Sequence, residues 1–423
     1  AQTEAAATPV APDAETSTTE DERLTRADVE AWLDGFMSYA LPRGNIAGAV
    51  VVVVKDGETL FQKGYGYADV DAGKPVDPEA TLFRPGSVSK LFTWTAVMQL
   101  VEDGKLDLDQ DVNAYLDFKI PPRNGKPITL RDIMTHTAGF EESIRGLITA
   151  DPEGVPPLGE LMKAWVPERI FDAGTTPAYS NYATALAGYI VERVSGVPFD
   201  DYVERNIFKP LGMTRSSFRQ PLPERLQPLM SKGYALASDE AKPYEMVGPA
   251  PAGSLASTGA DMAEFMIAHL NQGGPLLEPE TARMMHGTML DMIPSLNRMA
   301  LGFYEQDING QEVIGHGGDT QWFHSYLWLF LEEDVGLFVS LNSSGRDGAS
   351  GPIRTALFEQ FADRYFPAES RDQRRVDAET AAEHARMMVG TYMNSRRSDS
   401  SFFKALGLVG QAKIGLDADG GLL

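Results

Sequence analysis

The chain has 423 residues, 43% of them hydrophobic, and a formal net charge of −23. That length exceeds the usual size of one domain, and the apolar content can build a substantial core. The negative charge argues against binding to nucleic acid or to anionic membrane surfaces. Because the chain contains no cysteine, disulfides, thiol catalysis and cysteine-ligated metal sites are excluded.

The first 22 residues differ from the rest. They are rich in Ala, Thr and Pro, carry six acidic and no basic side chains, and show no periodicity, so we expect residues 1–22 to be disordered. A mature start of this kind is typical of a bacterial precursor after signal removal, which indicates a periplasmic or secreted protein. A sequence cut at an arbitrary point would look the same.

The folded part is predicted to span residues 23–367, as an α/β protein of the α+β type. A helix over 25–41 precedes a hairpin over 46–67, and a helix over 352–365 closes the unit. Such ends are typical of an antiparallel sheet flanked by its first and last helices, with a helical lobe inserted between them. No apolar run approaches the 20 or so residues of a membrane helix, and no metal motif is present. We therefore expect no membrane-spanning segment, metal or cofactor.

A helix with one buried face is predicted to begin at Ser87 and to end near Gly104. Its apolar residues recur every three or four positions: Leu91, Trp94, Met98 and Val101. Ser87 then lies in the first turn, where unpaired backbone N–H groups and the helix dipole favour an anion. Lys90 projects from the same face and can reach the Ser87 hydroxyl. The alternative is a helix cap beside a solvated lysine, which we prefer for the same spacing at Ser401.

Two later motifs carry further candidates. Tyr179 and Asn181 follow a turn over 174–177 and are predicted to lie on the loop that enters a helix ending at Gly196. The alternative is a packed tyrosine and an asparagine helix cap. His136, within an earlier His-Thr-Ala-Gly stretch, is expected to be a structural turn residue.

His316 is predicted to lie on a strand after the Asn309-Gly310 turn. His316 is a candidate to contact a leaving group, the Tyr179 hydroxyl or a substrate carboxylate, or else to bond only to backbone. Gly317 and Gly318 have no side chains, so an extended substrate can lie against this strand edge. We expect Trp322, just beyond, to offer a wall of the binding site.

Four segments in register resemble the penicillin-binding, class C β-lactamase-like serine hydrolases, a group with D-aminopeptidases, D,D-peptidases and esterases. They are FRPGSVSK (83–90), LRDIMTHTAGF (130–140), YSN (179–181) and HGGDT (316–320). The resemblance, over about residues 25–366, implies a β-lactamase/transpeptidase-like fold. Together with the patterns above, it makes Ser87, Lys90, Tyr179 and His316 the candidate catalytic residues, and Asn181, Gly317, Gly318, Asp319 and Trp322 the candidate substrate contacts. It implies that Asn181 binds a substrate amide or orients Lys90, and that the backbone N–H groups of Ser87 and Asp319 form an oxyanion hole.

A serine hydroxyl needs a neighbouring base to become a strong nucleophile. Tyrosine and lysine, with reference pKa values of about 10 and 10.4, are protonated at neutral pH unless their environment shifts them. We expect a protonated Lys90 to make tyrosinate accessible at Tyr179, which then takes the proton of Ser87. The reverse assignment stays open because strongly coupled groups titrate as a pair.

The expected reaction is hydrolysis through an acyl-enzyme, on peptides or amides first and on carboxylic esters second. A small peptide or ester is therefore the expected partner, and the oligomeric state is not predicted. A catalytically silent penicillin-binding-like sensor or scaffold is the alternative from another class. His316 stands where β-lactamases have the lysine of Lys-Thr-Gly, so we expect weak or no β-lactam hydrolysis.

Residues 368–423 differ in character from the folded part. A charged linker over 369–375 precedes a strand-like segment that begins at Met387, and the last residues read as a turn with a short returning strand. We expect this region to be the start of a truncated C-terminal β domain. The alternative is a short extension that packs on the main domain.

Overall fold

The computed structural model describes residues 24–144, 146–292, 298–368, 376–418 and 421–423. The expected disordered segment (1–22) and the expected linker (369–375) lie outside these ranges, and the domain boundaries stay predictions. Among the described residues, no helix has the length and apolar character needed to cross a bilayer.

The strands, in chain order, are β1 (Gly48–Lys55), β2 (Glu58–Asp69), β3 (Lys74–Pro75), β4 (Ile148–Thr149), β5 (Met246–Val247), β6 (Arg298–Met299), β7 (Tyr304–Ile308), β8 (Gln311–Asp319), β9 (His324–Phe330), β10 (Val335–Leu341), β11 (Gly390–Tyr392) and β12 (Ala412–Ile414). Eight of them form one sheet in the order β3-β2-β1-β10-β9-β8-β7-β6, and all its pairings are antiparallel. The pairs β4-β5 and β11-β12 form two small separate sheets.

The helices are α1 (Arg26–Gly44), α2 (Ser89–Glu102), α3 (Leu130–Met134), α4 (Leu158–Ala164), α5 (Asn181–Ser195), α6 (Phe199–Val203), α7 (Lys209–Leu211), α8 (Gly259–Leu270), α9 (Pro279–His286), α10 (Ser350–Tyr365) and α11 (Ala378–Met388). A 3-10 turn, Gly86–Val88, leads directly into α2. The predicted helix starts and the predicted hairpin agree with these bounds to within a few residues.

The valine run of β1 lies in the middle of a three-layer structure. Successive side chains of a strand point to opposite faces. Val51 therefore packs in the cluster that holds α1 and α10, whereas Val50 and Val52 pack in the cluster that holds α2 and α8. A strand covered on both faces needs a continuous apolar run, which explains the unbroken valines. The predicted antiparallel sheet with flanking first and last helices and an inserted helical lobe is confirmed.

Strand β8, which carries His316, has neighbours on both sides over only part of its length. β9 pairs with it as far as Asp319, but β7 pairs with it only from Gln311 to Gly315. The expected edge at His316, Gly317 and Gly318 therefore lies just beyond the last residue that pairs with β7. Because backbone N–H groups alternate in direction along a strand, Gly317 and Asp319 direct theirs, like Gly315, toward the side that β7 no longer covers.

The end of β8 lies against the turn that carries Ser87, and glycines make this approach possible. A Cβ at Gly318 would lie 1.9 Å from the Pro85 carbonyl oxygen and 2.8 Å from the Ser87 nitrogen. Gly86 has φ 55°, and its Cβ would lie 2.6 Å from the Asp319 nitrogen. Only glycine allows two backbones to come this close. The two glycines thus bring the backbone N–H groups of Ser87 and Asp319 to the same place.

Replacing Gly318 by alanine tests this contact. Gly318→Ala forces β8 away from the Ser87 turn, and we expect it to lower the free energy of unfolding by about 1–3 kcal/mol, as for other overpacked sites. The measurement is the urea denaturation midpoint. Gly35→Ala is the matched control, because no atom lies within 4 Å of a Cβ at Gly35 in α1 and alanine is the better helix former by about 1 kcal/mol. Equal stability of Gly318→Ala and the wild type would contradict the argument.

Candidate active site

A cavity of about 900 Å³ opens where the start of α2, the loop before α5 and the end of β8 meet. Most of the candidate residues from the motifs line it: Ser87, Tyr179, Asn181, His316, Gly317 and Asp319. Lys90 lies beneath Ser87 with none of its surface exposed. Gly318 faces the Ser87 turn, as described above. Three segments far apart in sequence therefore meet around one serine.

Ser87 is hydrogen-bonded to both of its expected partners. The Tyr179 hydroxyl lies 2.8 Å from Ser87 Oγ, and Lys90 Nζ lies 3.1 Å from the same atom. Lys90 Nζ also donates to Asn181 Oδ1 at 2.8 Å and to the Ala252 carbonyl at 2.7 Å. The amine is thus held on three sides by oxygen atoms, and no carboxylate contacts it within the described part of the chain.

Local structure explains why Tyr179 and Asn181 stand at this place. Ser180 caps α5 by accepting a hydrogen bond from the Ala183 nitrogen at 3.1 Å, so Asn181 becomes the first residue of the helix. The Ala178 N–H donates to the carbonyl of His136 at 2.8 Å. These two bonds fix the short extended stretch in which Tyr179 lies between its anchored neighbours.

Burial shifts the pKa values of Lys90 and Tyr179 in opposite directions. Desolvation, followed by the positive charge of Arg396, holds the pKa of Lys90 well below its usual value. Desolvation raises the pKa of Tyr179 far above its usual value. Both shifts favour the uncharged forms, which is the reverse of the roles expected from the sequence. A neutral amine has two N–H groups, which Asn181 and Ala252 accept, and one lone pair, which can face the Ser87 hydroxyl.

His316 is a buried neutral residue at the cavity wall. Desolvation lowers its pKa to about 3. Its Nδ1 lies 2.5 Å from the Gly317 carbonyl, whereas its buried Nε2 has no hydrogen-bond partner among the described residues. The strand therefore presents no fixed positive charge at this position.

Ser87 and Asp319 both line the cavity, and their backbone nitrogens lie close to the glycines at which the two segments meet. The side chain of Asp319 is held elsewhere, at 2.8 Å from an Arg354 nitrogen and 2.6 Å from His324 Nδ1. This pairing anchors the end of β8 and leaves the Asp319 N–H on the side that β7 does not cover. The arrangement fits an oxyanion hole of two amide donors.

The structure places Trp322 away from Ser87. The Thr320 N–H donates to the Phe323 carbonyl at 2.9 Å, so the chain reverses directly after β8. The Trp322 side chain lies against Gly233, and its ring centroid is 5.8 Å from Lys242 Nζ. The expected aromatic wall at Trp322 is therefore wrong as a description of this cavity. Its apolar lining comes from other loops and from the short strands β4, β5 and β6: Leu147, Ile148, Val247, Leu290, Met292 and Met299.

Sequence reasoning gave His136 only a structural role. Its φ of 55° agrees with the expected turn. Its imidazole nevertheless lines the cavity with its ring centroid 4.4 Å from that of Tyr179, and both ring nitrogens are buried without a partner among the described residues. No pattern in the sequence indicated this contact, because it depends on how two distant loops pack.

The C-terminal segment also reaches the site. Asn394, Ser395 and Arg396 line the cavity, although sequence analysis gave them no role. Ser401, which shares the Ser-x-x-Lys spacing, instead caps a 3-10 helix, Phe402–Leu408. Within the described ranges, no three His, Asp or Glu side chains are grouped so that they could hold a metal ion.

Comparison with known proteins adds the family. Among curated proteins, protein flp of Staphylococcus aureus strain N315 is 26% identical over 328 residues, which cover 76% of this chain and 64% of flp. The putative penicillin-binding protein PbpX of Bacillus subtilis strain 168 is 32% identical over 220 residues, 51% of this chain and 52% of PbpX. The chain therefore matches less than two thirds of the length of these relatives.

Two solved structures show a similar fold. The octameric penicillin-binding protein homologue from Pyrococcus abyssi aligns with a TM-score of 0.69 and 23% identity, covering 92% of this chain and 86% of its own. A β-lactamase/D-alanine carboxypeptidase from Pseudomonas syringae gives a TM-score of 0.64 and 22% identity, covering 80% of this chain and 98% of its own. At such identities the similarity establishes the fold alone.

A family model matches a longer part of this chain than either curated relative does. The model described as Beta-lactamase matches residues 22–360, which include every segment that contributes to the Ser87 cluster except the C-terminal one. The chain belongs to the Beta-lactamase family, the β-lactamase-like serine hydrolases.

Proposed function

We propose that this protein is a peptidase or amidase that cleaves short peptides or amino-acid amides through an acyl-enzyme at Ser87. One observation carries the proposal: Ser87 Oγ is hydrogen-bonded to both Lys90 and Tyr179 at the floor of an open cavity. A serine with two proton-transfer partners and adjacent amide donors has what acyl transfer requires. A silent sensor would need none of these contacts.

The first step is attack on a substrate carbonyl. Neutral Lys90 accepts the proton of Ser87 while Oγ bonds to the carbonyl carbon. The carbonyl oxygen becomes an oxyanion and is stabilised by the N–H groups of Ser87 and Asp319, each worth about 3–4 kcal/mol in comparable sites. Lys90 is then an ammonium that Asn181 and the Ala252 carbonyl still hold.

The second step expels the leaving group, and here Tyr179 acts. An amide nitrogen leaves only after it receives a proton. Tyr179, which donates to Ser87 Oγ in the free enzyme, can give its proton to the leaving nitrogen and regain one from the Lys90 ammonium. The cluster thereby returns to its starting protonation, and a water molecule repeats the two steps to release the acyl group.

Preference for peptides is supported by the free end of β8. Gly317 and Asp319 present N–H groups that β7 leaves unpaired, and an extended peptide can add there by main-chain hydrogen bonds. The apolar lining can accept side chains on either side of the scissile bond. A carboxylesterase is the second candidate function, because the alcohol of an ester leaves more readily than an amine and depends less on protonation by an acid.

A substrate panel tests this function. It contains amino-acid p-nitroanilides and short peptides of D and L configuration, unactivated short-chain esters, and nitrocefin. We expect turnover of at least one peptide or amide, with activated esters cleaved incidentally. Nitrocefin should be a poor substrate, because its rigid bicyclic core holds a carboxylate at the strand, where the neutral His316 supplies no charge.

Two serine variants control the panel. Ser87→Ala should abolish turnover and labelling by a fluorophosphonate probe without loss of fold, whereas Ser401→Ala should match the wild type. If Ser87→Ala keeps wild-type turnover, the assignment of the nucleophile is wrong. If only unactivated esters are cleaved, the carboxylesterase replaces the peptidase.

The proton-transfer roles make a separate prediction. Lys90→Ala should lower acylation by amides and by activated esters alike, by about 10²–10⁴-fold. Tyr179→Phe should impair amides far more than activated esters, because only the amide needs a protonated leaving group. The measurement is kcat/KM for matched p-nitroanilide and p-nitrophenyl ester pairs. Equal losses for both substrates in Tyr179→Phe would give the base role to Tyr179.

A further inference from the structure

A segment near the end of the described chain is fixed to the wall of the cavity. The buried carboxylate of Glu141 accepts hydrogen bonds from the backbone nitrogens of Asp399 and Ser400, each at 2.8 Å. The neighbouring Glu142 N–H donates to the Arg397 carbonyl at 2.9 Å. Ser395 Oγ donates to the carbonyl of Pro177, two residues before Tyr179, at 2.5 Å. The segment between these anchors therefore has a defined position beside Tyr179.

Arg396 is the residue of this segment whose side chain contacts the ring of Tyr179. Its guanidinium carbon lies 4.6 Å from the centroid of the Tyr179 ring, a cation–π contact. Its Nε donates to Glu142, which orients the planar group. No described residue accepts a hydrogen bond from its two terminal nitrogens, and its side chain keeps 45% exposure. The free edge of the guanidinium carries the parallel N–H groups that bind a carboxylate at two points.

The other charged side chains of the cavity lining are already paired. Arg298 lies 2.5 Å from Glu305 and 3.1 Å from Glu312. Asp319 is held by Arg354 and His324, as described above. Among the described lining residues, Arg298 thus faces two carboxylates through its Nη2. Arg396 has one carboxylate partner, Glu142, which contacts Nε and leaves both terminal nitrogens to a ligand.

Glu142 does not cancel the positive charge of Arg396 at the reaction centre. Arg396 lowers the pKa of Lys90 more than Glu142 raises it, after the larger effect of burial. Glu142 contacts the guanidinium on its Nε side only and is 13% exposed. A substrate anion that meets the opposite edge thus finds an oriented group and a net attractive field.

We propose that Arg396 determines specificity by binding a carboxylate that the substrate carries close to the carbonyl attacked by Ser87. This inference rests on the proposed acyl-transfer function and adds to it the class of substrate, namely peptides or acyl compounds with an anionic group. The residue lies beyond residues 22–360, the part matched by the family model. The C-terminal segment, rather than the shared part of the site, would then select the substrate.

Two pairs of probes, each differing in one charge, test the proposal. The first is N-acetyl-alanyl-alanine, in D,D and L,L forms, against its C-terminal amide; the second is p-nitrophenyl hydrogen glutarate against p-nitrophenyl pentanoate. We expect the wild type to prefer the acid in at least one pair. The ratio to follow is kcat/KM for the acid divided by kcat/KM for its neutral partner. Arg396→Gln should reduce this ratio by about tenfold or more, the usual effect of losing a hydrogen bond to a charged group. A general change in the Ser87 cluster would lower kcat/KM for both probes of a pair. A change in their ratio therefore reports on the contact with the anion.

Arg397→Gln is the matched control, because Arg397 pairs with Asp399 and lies over Phe171. It should keep the wild-type ratio. Absence of any preference for the acids, or an unchanged ratio in Arg396→Gln, would overturn the proposal.

A binding measurement separates this inference from the proposed function. In Ser87→Ala, calorimetry should show tighter binding of the acid than of its neutral partner, and Ser87→Ala/Arg396→Gln should lose the difference. If the wild type turns over no probe, the proposed function fails while this titration still decides the role of Arg396. If turnover is normal and the acids gain nothing in either assay, only the role of Arg396 is rejected.

Discussion

The proposed chemistry of this protein depends on one buried amine. Lys90 has no exposed surface, and the atoms around its Nζ are neutral oxygens of Ser87, Asn181 and Ala252. An ammonium without a counter-ion in such a place is costly. Burial therefore favours the neutral amine, which takes up a proton only when Ser87 attacks. The first turn of α2, the start of α5 and the glycines of β8 all serve to hold groups around this nitrogen.

The sequence predicted the parts of the site whose relation is local. The spacing of Ser87 and Lys90 in one helical turn, and the loop that precedes α5, follow from periodicity and turn residues. The sequence could not predict properties that depend on packing between distant segments. Burial favours the uncharged forms of Lys90 and Tyr179, the reverse of the expected roles, and a tight turn carries Trp322 away from the cavity.

Two parts of the chain contribute residues to the site. The proposed nucleophile, its proposed proton-transfer partners and the amide donors come from the part that the Beta-lactamase family model matches, and the proposed reaction type follows from them. One wall of the cavity comes from residues 394–396, which that match does not include. Similarity to family members is therefore informative about the reaction, whereas substrate choice depends on loops and on a segment that must be studied in this chain itself.

The central claim is that Lys90 is a neutral amine while Tyr179 keeps its proton. Rate measurements alone do not separate this state from an ammonium beside a tyrosinate, because both bind the same number of protons. Nuclear magnetic resonance of protein labelled with ¹³C at the lysine ε-carbon does, with Lys90→Ala used to assign the resonance. The account predicts an amine-type shift for Lys90 at neutral pH and titration well below the usual lysine pKa of about 10.4. An ammonium-type shift for Lys90 that persists to about pH 10 would contradict it.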